Sequence, residues 1–496
     1  MSLYLHDTLT RSLRQVQPGD GRTLRFYCCG PTVYAPAHIG NLRTFVLQDV
    51  FRRTAEASGM EVRHVRNLTD VDDKTIRAAN AAGVSLKEFT QQWIDRFRAD
   101  TAALHLLPPT VEPAATDHIE GQIALIATLL DKGHAYRTED GSVYFKVASF
   151  PSYGKLSRLD ERELLPSGAA PTGDGPIDQD EYDKEDRSDF ALWKARKPED
   201  GNVFWTAPWG EGRPGWHLEC SAMSMAALGS TLDVHGGGVD LIFPHHENEI
   251  AQSEACTGQP FVRHWFHCAH LMVENEKMSK SLGNLYTLDD LAAKGFAPLT
   301  IRFLLLSAHY RSQLNFTFNG LHAAEGALKK LGETLGRVLR QVGWTPEDWM
   351  ETAHHKRDLP ALEESRWNKA WHLLQKDLNT AGAWGQIMKQ RTAWEKSLPD
   401  ASPEILVKEL TSLATLLFAF GLEALPSVCT APQKAGEETI NLAPPAEIAA
   451  LAEARWTAKS ARDFATADRL RGELRDAGWE VKDRKDGYQI LPVPEA

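Results

Sequence analysis

Near its start the chain passes from a compact apolar run to helical spacing and back. Residues 23–29, TLRFYCC, are β-branched and aromatic and predict a strand, and GPT follows as a turn. In HIGNLRTFVLQDVFRRTAEASG the apolar residues Leu42, Phe45, Val46 and Val50 fall three or four apart, which predicts a helix ended by Gly59. EVRHVRNLTD predicts a second strand, so the opening reads as a βαβ unit of a doubly wound parallel sheet, class α/β. Later the period becomes purely helical: Leu328, Leu331, Leu335, Val338, Leu339 and Val342 mark one face of a bundle helix. Pro426, Pro432, Pro444 and Pro445 fall in a predicted linker, and the acidic, Gly- and Pro-rich residues 167–186 predict a flexible excursion between the halves of the sheet, outside the active site. The expected layout is a sheet-bearing domain over 1–320 with an inserted region at about 110–210, an α-helical bundle over 321–425, a linker over 426–446 and a small C-terminal domain over 447–496. No internal repeat is present.

Composition narrows the class. A chain of 496 residues is too long for one core. Its net charge of −12 leaves room for a local phosphate-binding face but gives no polybasic character. Six cysteines in so long a chain, two of them adjacent, do not form a disulfide framework and point to a reducing compartment. The first residues lack the apolar core of a signal peptide, and the run LATLLFAFGLEAL from Leu413 is too short to span a bilayer and carries Glu423. A soluble cytoplasmic protein is expected.

Candidate chemistry concentrates in residues 235–249, HGGGVDLIFPHHENE, where a glycine-rich turn runs into two adjacent histidines and two carboxylates. Cys29 and Cys220 offer thiolates from elsewhere, and two thiolates with an imidazole and a carboxylate suit Zn2+ better than a hard oxygen-seeking ion. From spacing alone, core or surface placement of these residues stands beside the metal reading. At the helix start, His38, Gly40 and Asn41 lie where backbone amides aim at an anion.

HIGN near the front and KMSKSLGN over 277–284 together resemble the two signatures of class I aminoacyl-tRNA synthetases. CGPTVY with HIGN, NLTDVDDK from Asn67, DFALWKARK from Asp189, GRPGWHLECSAMS, HGGGVDLIFPHHENEIAQSEA and EKMSKSLGN resemble the cysteinyl-tRNA synthetase family over the whole catalytic region. WHLLQKDLNTAGAW resembles its helical domain, and the stretch from Trp456 resembles its small anticodon-end domain.

The resemblance implies a Rossmann-like catalytic domain and a cysteine tRNA ligase reaction. L-cysteine and ATP with Mg2+ would give cysteinyl-adenylate, and the acyl group would pass to tRNA(Cys). In that chemistry charge builds on the phosphates, so His38, Asn41, Lys277 and Lys280 take catalytic roles. Lys280 matches the lysine used at the phosphate, and Lys277 mainly sets the loop, whose Ser and Gly residues let it close. His38, Gly40, Asn41, Gly236, Gly237, Gly238 and Lys280 are the implied ATP-binding set; the bare HGGG backbone leaves room for a flat base, with a plain tight turn as the alternative. Gly30, Thr69, Trp216 and Asp240 would line the amino-acid pocket, Trp216 as a lid and Asp240 as partner of the ammonium, or else serve in core packing. Cys29, Cys220, His245 and Glu249 would hold one Zn2+ per chain, which separates a substrate thiol from the near-isosteric serine hydroxyl.

Neighbouring strand residues face opposite ways, so Cys28 is expected in the core, and Cys256, Cys268 and Cys429 as buried thiols. His246 is either a supporting residue or a core histidine. Arg455, Lys459, Arg462, Arg469 and Arg471, with Trp456 or Trp479, are candidate RNA contacts of the tail. One departure stands out: the family arginine before Ala-Thr is Ala114 here. A monomer with no membrane contact is expected. The rival readings are a cysteine:amino-sugar ligase of mycothiol synthesis, a non-catalytic RNA-binding paralogue and a zinc hydrolase, the last failing because Ile250 stands where its second histidine would be needed.

Overall fold

The computed structural model describes all residues except 1, 160–188, 280, 356–358, 426–445, 462, 485–486 and 493–496. The predicted acidic excursion, most of the predicted linker, Cys429, Arg462 and Lys280 therefore lie outside the described residues. The chain forms two compact units, Met1–Cys429 and Thr430–Ala496.

The first unit is built on four parallel strands in the order Trp265–Cys268, Val234–Gly238, Thr23–Cys28, Glu61–Arg66. The predicted first strand and its βαβ partner are both present, joined by the helix Ile39–Ala57, whose buried face includes Leu42, Phe45, Val46 and Val50. Gly59, at φ +89°, turns the chain just past that helix. Strand order reverses between Thr23–Cys28 and Val234–Gly238. In such open sheets ligands bind at the carboxyl ends of the strands flanking that switch point. Between the halves of the sheet, five short antiparallel strands from Ala135–Arg137 to Gly210–Pro214 form a second sheet. Its core includes Leu218 and Ala222 of the helix Trp216–Leu228, and Ala251 and Ala255 of the helix Glu247–Thr257. The insertion thereby braces the two helices that carry the predicted metal ligands Cys220 and Glu249.

Beyond the sheet, Phe318–Val342 is the predicted bundle helix, with Leu328, Leu331, Leu335, Val338 and Leu339 buried and Val342 packed at the core's margin. The signature helix is tied to this helical region by a buried charge cluster. Asp49 Oδ2 accepts from Arg53 Nε at 2.8 Å and Arg302 Nη2 at 2.6 Å, and Arg53 Nη1 donates to Glu423 Oε1 at 2.9 Å. The remaining guanidinium donors meet the carbonyls of Leu104, His105, Phe418 and Phe420. Burial alone would raise the Asp49 carboxyl, but Arg53 and Arg302 hold it below the ordinary carboxylate value.

The second unit packs the helices Ala446–Ser460 and Phe464–Asp476 with the hairpin Trp479–Arg484 and Gly487–Pro492, around Ile448, Ala452, Leu474 and Val481.

Replacing Asp49 by Asn removes the charge that two buried arginines share, and the expected cost is about 3–5 kcal/mol. Because the folded pKa is depressed, this stability is present above the unfolded value near 3.9 and is lost as pH falls through the folded one. Urea unfolding at several pH values should show a lower midpoint for Asp49→Asn at pH 7 and a shallower loss on acidification.

Candidate active site

The site grows from the ends of the two central strands. Cys29 follows its strand immediately, and its amide donates to Gly236 O at 3.3 Å. Gly30 is required by close approach: its N–H donates to Asn67 Oδ1 at 2.8 Å, and a Cβ there would fall 1.6 Å from the Asn67 carbonyl oxygen. Asn67 also lies 3.7 Å by its Oδ1 from Cys220 Sγ and donates to Thr69 Oγ1 at 3.2 Å. One amide thus spaces the glycine turn, a thiol and the predicted pocket residue Thr69.

Cys29, Cys220, His245 and Glu249 converge, with one ligand atom from each lying within 4.8 Å of the others. Cys29 Sγ is 3.8 Å from Cys220 Sγ and 3.6 Å from Glu249 Oε1, and His245 Nε2 is 3.1 Å from Glu249 Oε1. Cys28 instead joins the main core and Cys29 a separate cluster, as strand alternation requires. Cys268 is buried too, and burial pushes its thiol up to about 12.

Four further histidines, not named as ligands from sequence, complete the surroundings. His235 Nε2 meets Glu249 Oε2 at 2.9 Å, and His217 Nδ1 lies 2.9 Å from His245 Nδ1. His246 sits in a relay: its Nδ1 is 2.7 Å from His267 Nε2, whose own Nδ1 reaches Thr8 Oγ1 at 2.7 Å. With Nε2 3.4 Å from Cys29 Sγ, His246 belongs to a second possible four-ligand set, Cys29, His235, His246 and Glu249. The available signal was positional: His235 opens the glycine strand, His217 adjoins Trp216 and His267 lies on the next strand.

Charge in the cluster is unbalanced toward anions. Two thiols 3.8 Å apart lose one proton easily and the second with difficulty. The hydrogen bond from Cys29 brings Cys220 down to about 6, while burial pushes Cys29 up. Burial would raise Glu249, yet His235 and His245 hold it at about 2. Burial would likewise lower His245, but Cys220 and Glu249 lift it to about 10. Burial drives His217 and His246 down and takes His267 to about 3, so these rings stay neutral. The proton on His245 therefore offsets a thiolate and a carboxylate, and the donor set fits a divalent cation that would displace it.

Trp216 stacks on His245 with ring centroids 4.3 Å apart and is half-exposed, as a cover would be. Asp240 is not brought into the cluster. It is exposed, beside Gly238, and its charge is felt at His38 and Cys268. Ala114 runs beside Leu68, and nearby Asp70 is satisfied by the Thr116 amide at 3.0 Å and hydroxyl at 2.5 Å.

The second focus is the start of the helix Ile39–Ala57. His38 Nδ1 accepts from the Asn41 amide, and Asn41 Oδ1 accepts from the His38 amide, both at 3.3 Å. Burial keeps the His38 ring neutral, and with Nδ1 accepting, its proton sits on Nε2 as a donor. Gly40 lies against Met278, whose sulfur is 3.3 Å from the place of a Cβ, so the two signatures touch. Lys277 is exposed at the end of the strand Glu276–Lys277. Asn284 closes the following loop by accepting from the Ser279 amide at 2.8 Å and donating to Lys277 O at 3.1 Å. Gly236, Gly237 and Gly238 are buried, and a Cβ on Gly237 would stand 2.7 Å from the His246 ring.

Cobalt(II) titration should show one tight site with sulfur-to-metal charge-transfer absorption. That absorption should weaken in Cys220→Ser and persist in Cys28→Ala and Cys268→Ala. Equal loss in all three variants would remove the cluster from consideration.

Comparison with known proteins identifies the family. A family model described as the tRNA synthetases class I (C) catalytic domain matches residues 15–326. A cysteine-tRNA ligase of Opitutus terrae is 52% identical, covering 99% of this chain and 100% of that protein. One of Solibacter usitatus is 43% identical, covering 99% of each. Among solved structures, a Mycobacterium tuberculosis methionyl-tRNA synthetase in complex with methionyl-adenylate shares the fold at TM-score 0.54 and 15% identity, over 82% of this chain and 91% of that one. An Agrobacterium radiobacter LeuRS in a ternary complex with tRNA and LeuAMS does so at 0.58 and 12%, over 84% and 86%. With its two signatures in contact beside a two-thiol cluster, the chain belongs to the cysteine-tRNA ligase family of class I tRNA synthetases.

Proposed function

We propose that this chain activates L-cysteine with ATP and Mg2+ to cysteinyl-adenylate, releasing pyrophosphate, and then passes the cysteinyl group to a terminal ribose hydroxyl of tRNA(Cys). The observation that carries this reading is the convergence of both signature motifs and a two-thiol cluster on the same end of one parallel sheet. The substrate carboxylate attacks the α-phosphorus, and the bond to pyrophosphate breaks. The protein's part is placement and charge stabilisation. His38 Nε2–H and the helix terminus offer donors to phosphate, Lys277 and Lys280 add positive charge, and Gly236, Gly237 and Gly238 leave room for the adenine. Thr69, Gly30 and Trp216 bound the amino-acid pocket. Asp240, exposed beside Gly238 and outside the thiol cluster, suits the ammonium only at the end of the substrate that faces ATP.

Cys29, Cys220, His245 and Glu249 are the ligand set that best fits Zn2+, because it contains both thiols. Bound there, zinc would favour a thiolate substrate over an alkoxide one. The C-terminal unit supplies the RNA-facing surface: Arg469 and Arg471 are exposed and Lys459 half-exposed, whereas Arg455 is buried and Trp456 and Trp479 are half-buried. The whole works as a cytoplasmic monomer. The amino-sugar ligase reading gains no support from relatives that match over their full length and are named for tRNA.

The test is cysteine-dependent exchange of pyrophosphate into ATP, run beside tRNA charging. Lys280→Ala should lower exchange by at least about 100-fold, the order found when one transition-state charge contact is removed, with cysteine affinity nearly unchanged. Serine should give no useful exchange. Truncation before Ala446 should spare exchange and abolish most charging, with a shallower salt dependence of what remains. Full-length protein that exchanges but never charges tRNA, while consuming an amino sugar, would shift the assignment to the rival ligase.

A further inference from the structure

Both signatures act on one nucleotide, yet they sit on different pieces of the fold. HIGN begins the helix Ile39–Ala57, while Lys277 ends a small sheet in which Leu271–Val273 pairs antiparallel with Glu276–Lys277 and parallel with Leu314–Phe316. Three ties join them. The Ile39 amide donates to Tyr286 O at 2.9 Å, beyond the signature loop, and Met278 packs against Gly40. The third is a side chain, Arg43, in the first turns of the helix and 1% exposed. Its Nη1 donates to Ala269 O at 2.6 Å and His270 O at 2.8 Å, and its Nη2 to His309 O at 3.3 Å and Ser312 O at 2.8 Å. Ala269 and His270 lead into Leu271–Val273; His309 and Ser312 lead into Leu314–Phe316. One guanidinium thus grips the roots of both strands behind Lys277.

We propose that Arg43 is a positioning residue for adenylate formation, fixing the helix that presents His38 and Asn41 relative to the sheet that presents Lys277. The inference rests on the activation chemistry proposed above. Among the described residues Arg43 forms no ion pair, so its charge is buried against carbonyls alone, a costly arrangement that an apolar side chain of similar size would avoid. What an apolar residue cannot do is bind two separate segments in a set plane. A guanidinium offers five donors in a rigid fork, whereas a lysine ammonium is a point charge that can satisfy only part of the set. Adenylyl transfer needs donors from both pieces aligned at once, and a misplacement of about 1 Å costs on the order of 100-fold.

The experiment uses the full chain with Arg43→Gln and Arg43→Lys. Expected for Arg43→Gln is a fall in the kcat of cysteine-dependent exchange of about 30-fold or more, with cysteine KM and metal content within about twofold of the parent. Amide hydrogen exchange over 269–279 should quicken while that of Glu61–Arg66 does not, and Arg43→Lys should recover part of both. Combined with Lys277→Ala, the loss should be smaller than the product of the single losses, because the second change removes a group that Arg43 places. Unaltered kcat and amide exchange would overturn the proposal. So would losses in cysteine binding and metal content equal to the loss in kcat, with Lys no better than Gln, since that is the signature of a merely structural arginine. If the Gln variant does not fold, Arg43→Lys against the parent gives the same comparisons. Absence of exchange in the parent would instead remove the function reading, and the amide-exchange comparison would still report whether Arg43 ties the two pieces.

Discussion

A carboxylate with no access to water cannot stand alone, and Glu249 is such a group: fully buried, with His235 on one oxygen and His245 on the other. The desolvation of that charge has to be met by donors or cations held in fixed places. The glycine strand brings His235, the helix Glu247–Thr257 brings Glu249 itself, and His245 arrives from the turn between them. The inserted sheet braces the outer sides of the two helices that deliver Cys220 and Glu249. The second sheet is therefore more than an appendage, because it holds a buried anion next to two thiols.

The same strand that serves this cluster also carries the glycines proposed to leave room for the nucleotide. Gly236 pairs with Cys28 and lies beside Cys29, and the lack of a side chain at Gly237 makes room for the His246 ring. Side chains on these glycines would disturb the histidine relay as well as any base packed on the backbone. The proposed selection of the side chain and the proposed binding of ATP would thus share one strand.

Buried arginines provide the longer connections. Arg43 reaches the carbonyls behind the second signature, while Arg53 and Arg302 reach those of the helical region and share Asp49. Two of the three, Arg43 and Arg53, lie on the signature helix, on faces buried against different neighbours. That helix is consequently the member through which the catalytic sheet, the signature loop and the helical region are registered. Packing by apolar side chains would hold them together, but only directional donors fix their relative angle.

Local signals determined much of this protein. The periodicity of TLRFYCC and of Leu42, Phe45, Val46 and Val50 specified the first strand and helix, because side-chain period follows directly from backbone geometry. Alternation separates Cys28 from Cys29, and the motifs single out Cys29, Cys220, His245 and Glu249, whose ligand atoms lie together in the fold. Tertiary structure decided the rest. That His217, His235, His246 and His267 surround the same carboxylate and thiols depends on segments some fifty residues apart folding to one point, and a lone buried histidine looks alike in sequence whether it supports a site or fills a core. Asp240 is exposed beside Gly238 and outside the thiol cluster, and Arg455 turns inward, because the direction of a polar side chain is set by what packs around it. Arg43 was legible only as one basic residue in an amphipathic helix; its four carbonyl partners come from two loops more than two hundred residues away, which no local pattern encodes.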